Sequence, residues 1–364
     1  MNKKGLTGII LSAVVICVLI VCLIVFVGRE KSDEASKVGF VMSGSTEETG
    51  WNGMHYVGIK AACDSLGAEL LVKENVKEFT GECNTAIEEL AKEGVGMIIL
   101  SSYNYAEEVR ELVKEYPEIV FYVNSSEYHD VNMTSYFVRM YQARYLAGIL
   151  AGSKTETNEI GYVAAMENNE VNRGINAFTL GVRSVNPDAQ VVVCWTGEWD
   201  NPEAEKEATT ALIAENADVL TYHQNQPNVV YAADEAGVYS IGYHEPVADC
   251  SEKYLTSVVC NWELVYEKIV REYLVGNANK QNNYWIGLET DAVGLSPYST
   301  EVTQEIAERI DIARIGLMTG RDVFSGIIYD REGNLKCGET ETISDELLLE
   351  KSDWFVEGVR FYEE

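Results

Sequence analysis

The residues of this chain best suited to chemistry are rings and amides gathered in short runs. They include Thr49-Gly50-Trp51-Asn52, Ser101-Ser102-Tyr103-Asn104-Tyr105, Tyr222-His223-Gln224-Asn225, Tyr243-His244-Glu245 and Cys260-Asn261-Trp262, with Trp195 and Trp199 close to one another. Flat π-faces beside amides suit a planar heteroaromatic ligand, which rings can stack on while Asn, Gln and His read its edge. A base–ring stack contributes about 1–3 kcal/mol in single-strand nucleic-acid binders. Two would supply a useful part of the about 8 kcal/mol of a micromolar complex. For any one tryptophan, half-buried packing is an equal competitor. Catalysis has no comparable signature. No G-x-S-x-G, Walker A, H-E-x-x-H or G-x-G-x-x-G occurs, and no two of the histidines His55, His129, His223 and His244 have metal-pair spacing. Asp330–Gly333 lacks the third carboxylate of a calcium loop and reads as a hairpin turn. We expect no enzyme, no cofactor and no metal.

The runs follow a regular series of elements. Short apolar, β-branched stretches begin at Val38, Glu69, Met97 and Val120, and again at Ile160, Val191, Val219 and Tyr239. The steps are 31, 28 and 23 residues in the first series and 31, 28 and 20 in the second. Helical patterns over 53–66, 82–93 and 106–115, then 171–184, 203–215 and 228–236, fill the gaps. Apolar strands alternating with amphipathic helices predict parallel sheets covered on both faces. The repeat predicts two similar α/β lobes. Further segments follow: a strand at Leu255–Val259, a helix from Trp262, a strand at 284–288 and a long helix through Met318. Two lobes with later crossings predict a hinged receptor with its cleft at the strands' carboxyl ends. Hinge points are expected near 136–139, 258–261 and 282–286. The expected division is 1–36 as anchor and tether, 37–138 plus 258–282 as lobe one, and 139–257 plus 283–364 as lobe two.

Gly5 to Val27 carries no charge over 23 residues and follows Lys3 and Lys4. That length spans a bilayer core of about 30 Å, with the positive end cytoplasmic. An N-terminal transmembrane helix with the remainder outside is the expectation. A cleaved signal or a lipoprotein signal at Cys17 or Cys22 are the alternatives, although bulky Ile16 and Val21 precede those cysteines. The formal net charge is −30, and −31 without residues 1–36. So acidic a chain argues against nucleic-acid partners. Of the six remaining cysteines, Cys250 and Cys260 are nearest in sequence; a disulfide and free thiols are both open.

Five segments carry a family resemblance: Thr134–Gly152, Gly174–Asp188, Trp199–Ile213, Val293–Ser299 and Ser352–Val359. In this order they resemble the basic membrane protein family, the purine-receptor branch of the type I periplasmic-binding-protein fold. The resemblance implies a substrate-binding component of an ABC importer, partnered by permease subunits and typically specific for purine nucleosides. Trp51-Asn52 stands where the nucleoside branch has Phe-Asn, which implies that Trp51 stacks on the base. Asn124 and His244 stand where that branch has acidic residues, and Cys260 where it has lysine. Tyr136, Arg139, Tyr141, Arg144 and Tyr145 look more like a branch that binds free adenine, as do Trp199, Trp262 and Tyr284-Trp285. Arg144 is expected to pair with surface acids.

The combined reading is two doubly wound Rossmann-like lobes joined by a multi-strand hinge. The cleft would hold a purine base or nucleoside. Trp51 and Trp262 are the expected stacking faces, Asn52, Arg139, His223 and Asn261 the edge readers, and Tyr103, Trp199 and His244 further contacts. The alternatives are a signalling receptor without transport and, more remotely, a cell-surface nucleoside-processing enzyme.

Overall fold

The computed structural model describes residues 36–125, 130–278 and 283–363. The anchor expected at Gly5–Val27 lies outside them. Among the described residues no helix is long and apolar enough to cross a membrane. The first sheet contains β1 (Lys37–Val41), β2 (Glu69–Lys73), β3 (Met97–Leu100), β4 (Val120–Asn124) and β5 (Met133–Val138). Between them run α1 (Gly50–Leu66), α2 (Glu82–Lys92) and the short α3 (Tyr105–Val109). The helix expected over 106–115 is broken: a 3₁₀ turn at Leu112–Glu115 completes it. The second sheet contains β6 (Glu159–Ala164), β7 (Gln190–Trp195), β8 (Val219–His223), β9 (Tyr239–His244) and β10 (Tyr254–Cys260). Around these lie α4 (Met140–Lys154), α5 (Asn169–Val185), α6 (Pro202–Ala214) and α7 (Asn228–Ala236).

The remaining elements are α8 (Trp262–Leu274), β11 (Asn283–Ile286), β12 (Val293–Leu295), α9 (Gln304–Met318), β13 (Ile328–Tyr329), β14 (Leu335–Cys337), α10 (Asp345–Glu350) and β15 (Val359–Phe361). Sheet one runs β11-β5-β4-β3-β1-β2 and sheet two β12-β10-β9-β8-β6-β7-β15. Both therefore share the core order second-first-third-fourth-fifth, a doubly wound arrangement whose switch point falls between the first and third strands. Met97–Leu100 and Val219–His223 are buried along their whole length, as strands covered on both faces must be.

The chain crosses between lobes three times: at Arg139, at Asn261 and at 287–292. The division expected at 282/283 is displaced. Asn283–Ile286 pairs in parallel with Ser135–Val138 and extends sheet one, and Arg139 N–H donates to the Ile286 carbonyl at 2.6 Å. Likewise β10 lies wholly in sheet two, so 258–260 belongs with the second lobe. Within lobe two, α4 and α5 cross closely because small residues line the contact. A Cβ on Gly148 would stand 2.0 Å from the Phe178 carbonyl, and one on Gly181 2.1 Å from that of Tyr145. All six described cysteines are free thiols.

Candidate functional site

A cleft with about 450 Å³ of empty space, counting the part open to solvent, lies at the carboxyl ends of both sheets. Lobe one lines it with Ser43, Trp51, Glu78, Ser102, Tyr103 and Asn124, lobe two with Glu170, Trp199, His223, Gln224, Asn225 and His244. Most follow directly from strand ends: Ser43 after β1, Ser102 and Tyr103 after β3, Asn124 closing β4, His223 closing β8 and His244 closing β9. Trp51 enters from the first turn of α1, and its indole N–H is fixed by the Ser101 carbonyl at 3.1 Å.

The rings form a run across the cleft. In lobe two, Trp199 meets His223 with centroids 5.9 Å apart, His223 meets Tyr243 at 4.7 Å, and Tyr243 meets His244 at 3.6 Å. His244 then meets Trp51 of lobe one edge to face at 5.0 Å. Behind Trp51, His55 stacks on the buried Trp262 at 3.8 Å. The lobes also touch at the cleft's lip. Gly50 N–H donates to Glu245 Oε1 at 2.6 Å and Trp51 N–H to the Asn225 carbonyl at 3.3 Å. Gly50 has φ +69°, and a Cβ there would stand 1.9 Å from the Asn225 carbonyl oxygen. The lobes are closed upon one another, and glycine is what permits it.

Some of the buried polar groups without a hydrogen-bond partner lie in this cleft, and others elsewhere in the fold. Both amide atoms of the fully buried Asn124 lack one, as do Nδ1 of His223 and Nδ1 of His244. Such groups are costly unless something satisfies them. His244 also has φ +71°, a strained backbone at the site. Burial lowers the pKa of His223, partly opposed by Glu170, and pushes His244 and His55 well below 6.5. Glu170 Oε1 lies 3.4 Å from His223 Nε2, which also meets the Tyr243 hydroxyl at 3.0 Å. Burial works to raise the pKa of Glu170, but His223, then a hydrogen bond from Ser125 and then the charge of Arg173 hold it below the ordinary value. The site thus presents a carboxylate beside neutral imidazoles. None of the lining residues is a lysine or arginine.

The structure brings Trp51, Tyr103, Trp199, His223 and His244 together in the cleft, and not the other expected contacts. Asn52 is buried beside it, donating to Glu48 Oε2 at 2.8 Å and accepting from Ser43 Oγ at 3.3 Å. Trp262 is a core ring, 1 % exposed. Asn261 is exposed on the hinge flank, where it helps line a cavity of about 1090 Å³ whose charged pair, Arg314 and Asp291, is already joined at 3.0 Å. Arg139 is engaged at the hinge by a two-point ion pair with Asp345, by the Tyr141 hydroxyl and by the face of Trp285. Arg144 meets no surface acid. It is fully buried, donates to the Tyr222 carbonyl at 2.8 Å and lies over the Tyr243 ring. Trp195 turns away, toward Phe355 and Phe361. Sequence reasoning did not single out Ser43, Glu78 or Glu170, and named Ser102, Gln224 and Asn225 only within their runs. Strand-end position could have flagged the serines; nothing local marks the two glutamates in so acidic a chain.

Two doubly wound lobes, three crossings and an interlobe cleft holding unsatisfied polar groups define a bilobal binding receptor. The chain belongs to the Bmp family, described as PnrA-like ABC transporter substrate-binding proteins, whose profile matches residues 35–318. It is 31% identical over 334 residues to a putative ABC transporter glucose-binding protein of Haloferax volcanii, covering 91% of this chain and 82% of that one. To a purine-binding protein of Brucella abortus it is 28% identical over 338 residues, covering 91% and 95%. Among solved structures, a transcriptional activator of the comK gene from Bacillus halodurans superposes with TM-score 0.68 at 25% identity, covering 78% and 98%. An ABC solute-binding protein from Aeropyrum pernix gives 0.67 at 16% identity, covering 78% and 92%, a likeness of fold alone. The chain is therefore an ABC transporter substrate-binding protein, and its family is one of solute-binding proteins rather than enzymes.

Proposed function

We propose that this chain captures a purine, either a free base such as adenine or a purine nucleoside, outside the cytoplasm and delivers it to an ABC permease. The observation that carries this reading is the buried Asn124 amide, unsatisfied by ordinary hydrogen-bond geometry, which shares the cleft lining with Trp51, Tyr103 and Trp199. An amide offers one donor edge and one acceptor edge, the complement of an aminopurine's, while rings on both lobes offer stacking faces. The cleft's lack of lysine and arginine favours an uncharged ligand over a nucleotide. The purine-binding relative supports the same class; the glucose-binding name supports a different one, to which flat rings beside amides are less suited. Hinge motion at 139, 261 and 287–292 would admit and release the ligand. The N-terminal apolar run would hold the protein at the membrane, as an uncleaved helix or by lipidation.

Tryptophan fluorescence tests the stacking. Titrating adenine or a purine nucleoside should quench emission, and Trp51→Phe should remove most of that change. Quenching that is unaltered in the variant would remove Trp51 from the site.

A further inference from the structure

Glu170 has no role in the resemblance and no motif marks it, yet it is a carboxylate of the cleft lining in contact with His223. It sits in the first turn of α5, next to the Asn168 cap whose side chain accepts from Val171 N–H at 3.0 Å. Only 8 % of its surface remains exposed, and that part lines the cleft. A carboxylate has about four acceptor positions; His223 and the Ser125 side chain lie beside it and leave part of that capacity for a ligand. Of the nearby cations, Arg144 and Arg139 are directed elsewhere, while Arg173, one turn along the helix, lends its charge to Glu170. Arg144 faces the Tyr222 carbonyl, Arg173 donates to the Leu348 carbonyl at 2.7 Å, and Arg139 is held by Asp345. The second lining carboxylate, Glu78, is bonded by Ser102 and by the Asn104 amide. Glu170 is thus the anion left facing the ligand.

We propose that Glu170 determines ligand specificity: it accepts an N–H of a neutral heteroaromatic ring at the second-lobe face and excludes anionic ligands. A ligand N–H would satisfy acceptor positions that burial shuts off from water, in a charge-assisted bond about twice as strong as a neutral one. A negative charge in the same place would meet repulsion that Arg173 only partly offsets in a poorly screened cleft. This inference rests on the purine reading, since it concerns which purines enter.

The test is calorimetric titration of the full-length chain, stripped of carried-over ligand, with adenine, guanine, hypoxanthine and urate, the last a monoanion at neutral pH. The wild type should favour its best neutral base over urate by at least a hundredfold. Glu170→Gln, matched in shape but uncharged, should shrink that ratio at least tenfold, by losing neutral-base affinity and gaining urate. Glu170→Asp, which keeps the charge, should weaken the neutral base yet still reject urate, and it serves if the glutamine variant does not fold. Equal loss of both ligands in a folded variant, or no change in their ratio, would overturn the proposal. A wild type that binds no member of the panel would instead overturn the purine reading beneath it, and this inference with it.

Discussion

The two lobes have the same strand order but bring unlike chemistry to the cleft. Lobe one contributes a ring fixed by its indole N–H, a tyrosine and a buried amide unsatisfied by ordinary hydrogen-bond geometry: Trp51, Tyr103 and Asn124. Lobe two contributes Glu170, His223 and His244, with Trp199 as an added ring, whereas lobe one's lining carboxylate, Glu78, is already bonded by Ser102 and Asn104. A shared scaffold therefore fixes where ligand groups sit, at strand ends around a switch point, and leaves their type free. On the proposed reading, lobe one stacks the ligand and reads an edge, and lobe two selects its charge.

The largest effect belongs to the ring that is not in the cleft. Trp262→Ala removes a fully buried side chain stacked on His55 and should cost about 3–5 kcal/mol of stability, read by denaturant unfolding. Loss of ligand affinity without loss of stability would return Trp262 to the site. Next comes pH. His55, His223 and His244 are held below 6.5 in the fold, so unfolding takes up protons and stability falls as pH drops below that value. Glu205, pushed up to about 7 by burial, opposes this by one proton. The net of two protons gives a slope of up to about 3 kcal/mol per pH unit between roughly pH 5 and 6.5. A flat melting temperature across that range would contradict the buried neutral histidines.

Gly50→Ala should block closure, because the added methyl meets the Asn225 carbonyl and φ is positive. Affinity should fall about a hundredfold, about 2.7 kcal/mol, and small-angle scattering should show no ligand-induced compaction. Normal compaction in the variant would mean the lip contacts do not define the closed state. Trp51→Ala should lose more than tenfold in affinity, at least about 1.4 kcal/mol, with the fold intact. The smallest effect is Arg139→Met: its guanidinium serves Asp345 at the hinge, so affinity should change less than about threefold, under about 1 kcal/mol. A tenfold loss would put Arg139 back among the ligand's contacts.

The fold was largely legible because periodicity reports burial directly. Strand starts read at Val38, Glu69, Met97 and Val120, then Ile160, Val191, Val219 and Tyr239, fall within one residue of the observed ones. The resemblance segments Thr134–Gly152 and Gly174–Asp188 contain the close α4–α5 crossing, where glycine is demanded by backbone contact. What failed was the pairing of late strands. Asn283–Ile286 is an ordinary short apolar strand, and nothing local says which sheet it joins. The cleft lining was legible where strand ends placed it, as for Tyr103, His223 and His244. It was misread where residue type alone argued for contact: Trp262 and Arg139 are large and suited to ligands, but one is core and the other a hinge clamp. Glu170 was invisible because its meaning comes from neighbours far off in sequence.

The central claim, that the cleft takes a purine, is tested most directly by calorimetric titration of the chain, unfolded and refolded to remove bound ligand, against adenine, adenosine, guanosine, inosine and uridine. The account predicts tight one-to-one binding of at least one purine and none of uridine. Heat from no purine at all would leave the receptor fold standing and contradict the assignment of its ligand.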